Sequence, residues 1–116
     1  ELKNKFDELI KARQYMEMEI NGLKFVLPKK ASDIVNEGSA LRHCVSTYVD
    51  RHASGTITIV FIRNAEAPKK PLYTMEFCKK EIVQIRAKYN QDPPKEVWKA
   101  AEIWKKKVVT RGRKNA

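Results

Sequence analysis

Two cysteines, Cys44 and Cys78, stand far apart in a chain of 116 residues, and neither belongs to a Cys-x-x-Cys pair. That spacing argues against a disulfide framework and a redox dithiol. Reduced thiols in turn predict a cytoplasmic location. The soft ligands, His43, Cys44, His52 and Cys78, lack paired spacing, so no metal is expected. Glycine is scarce, at 4 residues. No phosphate loop, dinucleotide fingerprint or GxSxG elbow is present, and no cofactor is expected. No apolar run approaches the roughly 20 residues of a membrane span. Glu1 to Lys5 is charged and opens no signal peptide. A first residue of Glu fits a piece of a longer chain.

Hydrophobic residues are 42% of the chain, enough for one core, and the length suits a single domain over residues 1–116. Net charge is +10. From Lys95 to Ala116 eight Lys or Arg accompany two Glu, so the last fifth of the chain holds most of the excess. Such a cluster points to a polyanion partner, most simply DNA or RNA. A solvated helix face with a basic tail over 109–116 would also account for it.

Hydrophobic spacing predicts an α+β order. Residues 1–13 form an N-terminal helix with Leu2, Phe6, Leu9, Ile10 and Arg13 on one face. Met16 to Ile20 and Leu23 to Leu27 alternate around Asn21-Gly22, the signal of a two-residue hairpin. That loop pairs Ile20 with Leu23, Glu19 with Lys24 and Met18 with Phe25. Ser32 reads as a helix N-cap, Gly38-Ser39 as a break, and Ser39 to about His52 as a second helix. The run 56–63 is apolar on both faces and predicts a central strand. Two further strands, 72–77 and 81–88, complete a three-strand meander. Asp92-Pro93-Pro94 then starts a helix, with Asp92 as N-cap and Val97, Ala101, Trp104 and Val108 as its core stripe. The fold expected is therefore an antiparallel sheet, hairpin plus meander, packed against helices.

Three groups of side chains are candidates for chemistry. Thr74 and Glu76 alternate on one strand, and Gln84 and Arg86 on the next, so all share a face. A solvated sheet face explains them, and so does a polar pocket in which Arg86 lowers the Glu76 pKa. Val83 and Ile85 belong to the opposite, apolar face in this reading. His43 and Cys44 are neighbours about 100° apart on a helix and form no nucleophile–base pair. Cys44 falls near the apolar stripe and reads as structural. On the last helix Lys99, Lys105, Lys106, Lys107, Arg111, Arg113 and Lys114 are candidate phosphate contacts. Trp98 suits either base stacking or a boundary position.

Leu23 to Pro28, Glu37-Gly38, Leu41 to Val45, Tyr48, Ile59 to Arg63, the Pro71 to Glu76 strand, Ile82 to Arg86 and Asn90 together resemble the PcfJ-like proteins, over about residues 21–104. Ala87 stands where the family pattern has glycine. The resemblance implies a setting in bacterial conjugative plasmids, integrated mobile elements and phages, but no reaction. It groups His43, Tyr48, Thr74, Glu76, Gln84, Arg86 and Asn90 as one polar set. The leading expectation is an accessory, nucleic-acid-binding protein of a mobile element. One rival is a small enzyme with His43 and Glu76 as acid and base and Arg86 holding an anion. The other is an interaction module whose polar network, including Tyr48, Thr74, Gln84 and Asn90, is structural.

Overall fold

The computed structural model describes residues 2–42 and 48–115, with α4 side chains described as far as Gly112. His43, Cys44 and Val45 lie outside the described residues. The elements are α1 (Leu2–Arg13), β1 (Met18–Ile20), β2 (Leu23–Val26), α2 (Ala31–Leu41), α3 (Tyr48–Ala53), β3 (Thr58–Asn64), β4 (Tyr73–Cys78), β5 (Glu81–Arg86) and α4 (Lys95–Asn115). The strands form one antiparallel sheet in the order β1-β2-β3-β4-β5. This is the α+β architecture expected from the hydrophobic pattern.

The first hairpin has the anticipated register, Met18 opposite Phe25 and Ile20 opposite Leu23. Asn21 and Gly22 hold φ of 53° and 78°, the positive values that a two-residue turn of this hand requires. β3 occupies the middle of the sheet and is buried on both faces from Thr58 to Ile62. One face presents Phe25, Val60, Ile62, Met75, Phe77 and Ile85 to α4. The helix answers with Val97, Ala101, Trp104 and Val108, all buried at the predicted spacing. Trp104 lies parallel to Phe25 at 5.7 Å, meets Phe77 edge-on at 4.9 Å, and donates its indole N–H to Met16 O at 2.7 Å. The other face carries Ile59 and Phe61, packed with Phe6, Ile34, Ala53 and Ile57 beneath α1 to α3.

Several local expectations are corrected. α2 runs through Gly38-Ser39 and turns at Arg42, whose φ is 55°. Glycine in a helix costs only about 1 kcal/mol, and burial of Ile34 and Leu41 on one stripe outweighs it. The N-cap of α2 is Lys30, not Ser32. Asp33 in the first turn instead accepts the Lys29 N–H at 2.9 Å. α4 begins after both prolines, at Lys95, so Asp92 does not cap it. The segment expected as a basic tail is helical through Asn115.

The β4–β5 pairing is irregular at Glu76/Phe77. Phe77 opposes Ile82 while Glu76 opposes Gln84, leaving Val83 as the extra residue. A bulge shifts the alternation by one residue. Ile82 thus packs against the apolar core, and Val83 is 54% exposed, the reverse of the simple alternation.

Candidate functional site

Beyond the bulge, register places Thr74 opposite Arg86 and Glu76 opposite Gln84. These four side chains lie on the face of the sheet that α1 to α3 cover. Thr74 and Glu76 are buried, and Gln84 and Arg86 are half-buried. Their face is covered, not solvated.

Glu76 is the centre of the cluster. Its Oε1 accepts from Gln84 Nε2 at 3.1 Å, and its Oε2 from Arg51 Nη2 at 3.2 Å. Gln84 Nε2 also donates to the Tyr48 hydroxyl, and Gln84 Oε1 accepts from Arg86 Nε at 3.2 Å. Arg86 continues outward to the Asp92 carboxylate. Tyr48 and Arg51, three residues apart, come from one side of α3, which sets their side chains over the strand pair. Burial, then the Glu76 charge, holds the Tyr48 pKa above its ordinary value, so the phenol stays protonated at neutral pH.

The ion partner of Glu76 is Arg51, not Arg86. Arg86 reaches Glu76 only through Gln84, whose amide has all its polar atoms engaged. Sequence reasoning missed Arg51, although its i,i+3 spacing to Tyr48 was a usable signal. It also assigned Asp92 to a cap, when its carboxylate closes the chain of contacts. His43 lies outside the described residues. Asn90 is exposed in a short turn at Lys88–Asn90, with φ of 60°. Its neighbour Tyr89 has φ of 58° and lies beneath Arg42, whose guanidinium is 5.7 Å from the ring centre. With both oxygens of Glu76 committed, the cluster is a satisfied polar network as it stands.

The five predicted phosphate contacts whose side chains are described divide into two sets. Lys99, Lys106 and Lys107 are exposed on α4. Lys105 is tied to Glu81 at 2.9 Å and to Glu102 at 3.6 Å. Arg111 donates to Tyr15 O at 3.4 Å. Arg113 and Lys114 are in the last turn of α4, and their side chains lie outside the described part. Trp98 is half-buried against the core, a boundary position. Among the described residues no group of His, Cys, Asp or Glu is arranged to hold a metal ion. No helix among them is long and apolar enough to cross a membrane.

Comparison with known families places these features in context. The family model described as PcfJ-like protein matches residues 1–102. The chain belongs to the PcfJ-like family. The match starts at the first residue and takes in α1, which the motif-based resemblance over 21–104 did not. An uncharacterized Listeria innocua protein, Lin1253/Lin1744, is 40% identical over 98 residues. The alignment covers 83% of this chain and 22% of that protein. The chain therefore spans about a fifth of its relative's length. No solved structure matches it.

Proposed function

We propose that this PcfJ-like domain binds nucleic acid as an accessory of a bacterial mobile element, through phosphate contacts on a basic surface that α4 shares with the β4–β5 turn. The observation that carries this reading is the Glu81–Lys105 contact at 2.9 Å. It brings the turn residues Lys79 and Lys80, both exposed, beside the lysine-rich half of α4. Lys79 also borders a hollow lined by Tyr15, whose carbonyl accepts from Arg111. Glu81 thus ties the end of this turn to α4 across 24 residues of sequence. The lysine charge is not spent on the core, because the inner stripe of α4 is apolar. A polyanion held this way releases counterions, so its affinity falls steeply with salt and shows little sequence preference.

Fluorescence anisotropy tests the proposal with labelled single-stranded DNA, duplex DNA and RNA across a salt series. The Lys79→Glu/Lys80→Glu variant should lose about tenfold or more in affinity and flatten the salt slope by roughly two contacts. Lys3→Glu/Lys5→Glu, on α1 outside this surface, should change affinity far less. No binding at low salt, salt-independent binding, or equal loss in both variants would overturn the proposal.

A further inference from the structure

On the same sheet face as the Glu76 network, but across the Ile59–Phe61 core from it, a second ion pair joins Arg63 of β3 to Glu37 of α2. Arg63 Nη2 donates to Glu37 Oε1, and Nη1 donates to Pro68 O at 3.1 Å. The remaining polar atoms of the pair, Arg63 Nε and Glu37 Oε2, are buried and have no hydrogen-bond partner. Leaving a buried polar atom unpaired forfeits its hydration with nothing in return, and the loss is greater when the atom is charged. Native interiors contain few such atoms. Here a donor and an acceptor are left over in one ion pair. By contrast, the Glu76 carboxylate has a partner on each oxygen.

Both residues line a cleft of about 600 Å³ between α2, the β2–α2 connection and the β3–β4 loop. That size falls within the range of roughly 300–1,000 Å³ typical of ligand sites. Pro68 and Pro71 supply apolar walls, Lys29 and Lys69 supply cationic groups, and the two further carboxylates of the lining, Glu17 and Asp33, accept the backbone N–H groups of Leu27 and Lys29. Arg63 keeps 17% of its side chain exposed and Glu37 only 3%, and Nε and Oε2 are themselves closed to solvent, so a ligand reaches them by a small opening of the pair. Burial raises the Glu37 pKa, and the Arg63 charge opposes the shift.

An unpaired N–H donor and an unpaired carboxylate oxygen in one ion pair complement a group that presents an acceptor next to a donor in one plane. The hydrogen-bonding edge of a nucleobase does so, and a 5′-phosphate on the same molecule matches the lysines. We propose that this cleft binds a mononucleotide, with Arg63 Nε–H donating to the base acceptor, Glu37 Oε2 accepting the base N–H, and Lys29 and Lys69 facing the phosphate. The site is separate from the basic surface proposed above.

Amide chemical shifts of the intact chain, titrated with AMP, GMP and UMP, test this directly. Shifts are expected at Leu27, Asn36 and Phe61. Purine riboside 5′-monophosphate, whose base lacks a donor beside its acceptor, should bind at least about tenfold more weakly, because a site built to hydrogen-bond rejects the analogue that cannot. Glu37→Gln should weaken the nucleotides. Because that change could also loosen the fold, Lys69→Glu at the exposed rim gives a second check: it should weaken AMP about tenfold while leaving adenosine unchanged. Absence of shifts at millimolar nucleotide would overturn the proposal. So would equal shifts with ribose 5-phosphate, or shifts confined to Lys79, Lys80 and α4. The last outcome would assign nucleotide binding to the basic surface and leave the nucleic-acid reading standing.

Discussion

The two faces of the sheet are covered in different ways. One long helix, α4, seals the first face, and nearly every contact there is apolar, from Phe25 and Ile62 to Met75 and Trp104. The second face is roofed by three shorter helices. Its centre, Ile59 and Phe61 with Phe6 and Ile34, is equally dry. Its flanks hold ion pairs, Glu37–Arg63 on one side and Arg51–Glu76 on the other. A single amphipathic helix can lay one continuous stripe along a sheet. Three short helices leave gaps between their ends, and here charged side chains fill them. Buried charge is weak evidence for stability, since desolvation offsets much of the attraction. The first face thus holds the fold together, and the second carries its candidate chemistry.

The largest test of that contrast is Trp104→Ala. It removes the side chain that touches Phe25, Phe77 and the Met16 carbonyl, and should cost about 3–5 kcal/mol in denaturant unfolding. A loss below about 1 kcal/mol would show that α4 is not the anchor. Next comes the ion pair of the second face. Glu37→Leu alone leaves the Arg63 charge buried and should cost about 3 kcal/mol. Adding Arg63→Met should return stability to within about 1 kcal/mol of the parent, because two apolar side chains need no mutual solvation. If the double variant were no better than the single one, the pair would be a true stabilising element and the contrast would fail.

The smallest effect is a pH dependence, and it sharpens the comparison within the second face. His52 is buried against Phe6, and its Nδ1 accepts the Ile59 N–H at 3.0 Å. Burial, with the Arg13 charge, lowers its pKa from 6.5 to about 4. The unfolded chain therefore binds a proton between those values that the folded chain refuses. The stabilisation is complete above about pH 6.5 and is lost as pH falls toward 4, by up to roughly 3 kcal/mol. Unfolding free energies at pH 7 and pH 4 should show that fall, and His52→Asn should reduce it. An unchanged pH profile in the variant would assign the acid sensitivity to other groups.

Much of the architecture was legible because it follows from spacing. The Asn21-Gly22 hairpin, the doubly buried β3 and the α4 stripe each repeat a period that chain geometry imposes. Thr74, Glu76, Gln84 and Arg86 were also grouped correctly on one face by a period of two. Gly38-Ser39 reads as a break by local propensity alone, and the packing of Ile34 and Leu41 overrides it. Val83 and Ile82 exchanged faces because a one-residue bulge leaves no mark in an alternating pattern. The partner of Glu76 was misassigned for a related reason: Arg86 was the nearest cation in the strand pattern, whereas Arg51 arrives from a separate helix.

Sequence by itself determined the α+β class, the N-terminal hairpin and the three-strand meander through their turns, and the core-facing residues of α4, since each depends on contacts between near neighbours or on a repeating period. Tertiary structure alone decided that the hairpin joins the meander through β2 and β3, that the polar face is covered, that Glu76 answers to Arg51, that Glu37 and Arg63 meet across 26 residues with two atoms left unpaired, and that Glu81, next to the Lys79-Lys80 turn, reaches Lys105 of α4. Such pairings depend on which helix crosses which strand, and burial then fixes the energy of every charge found there.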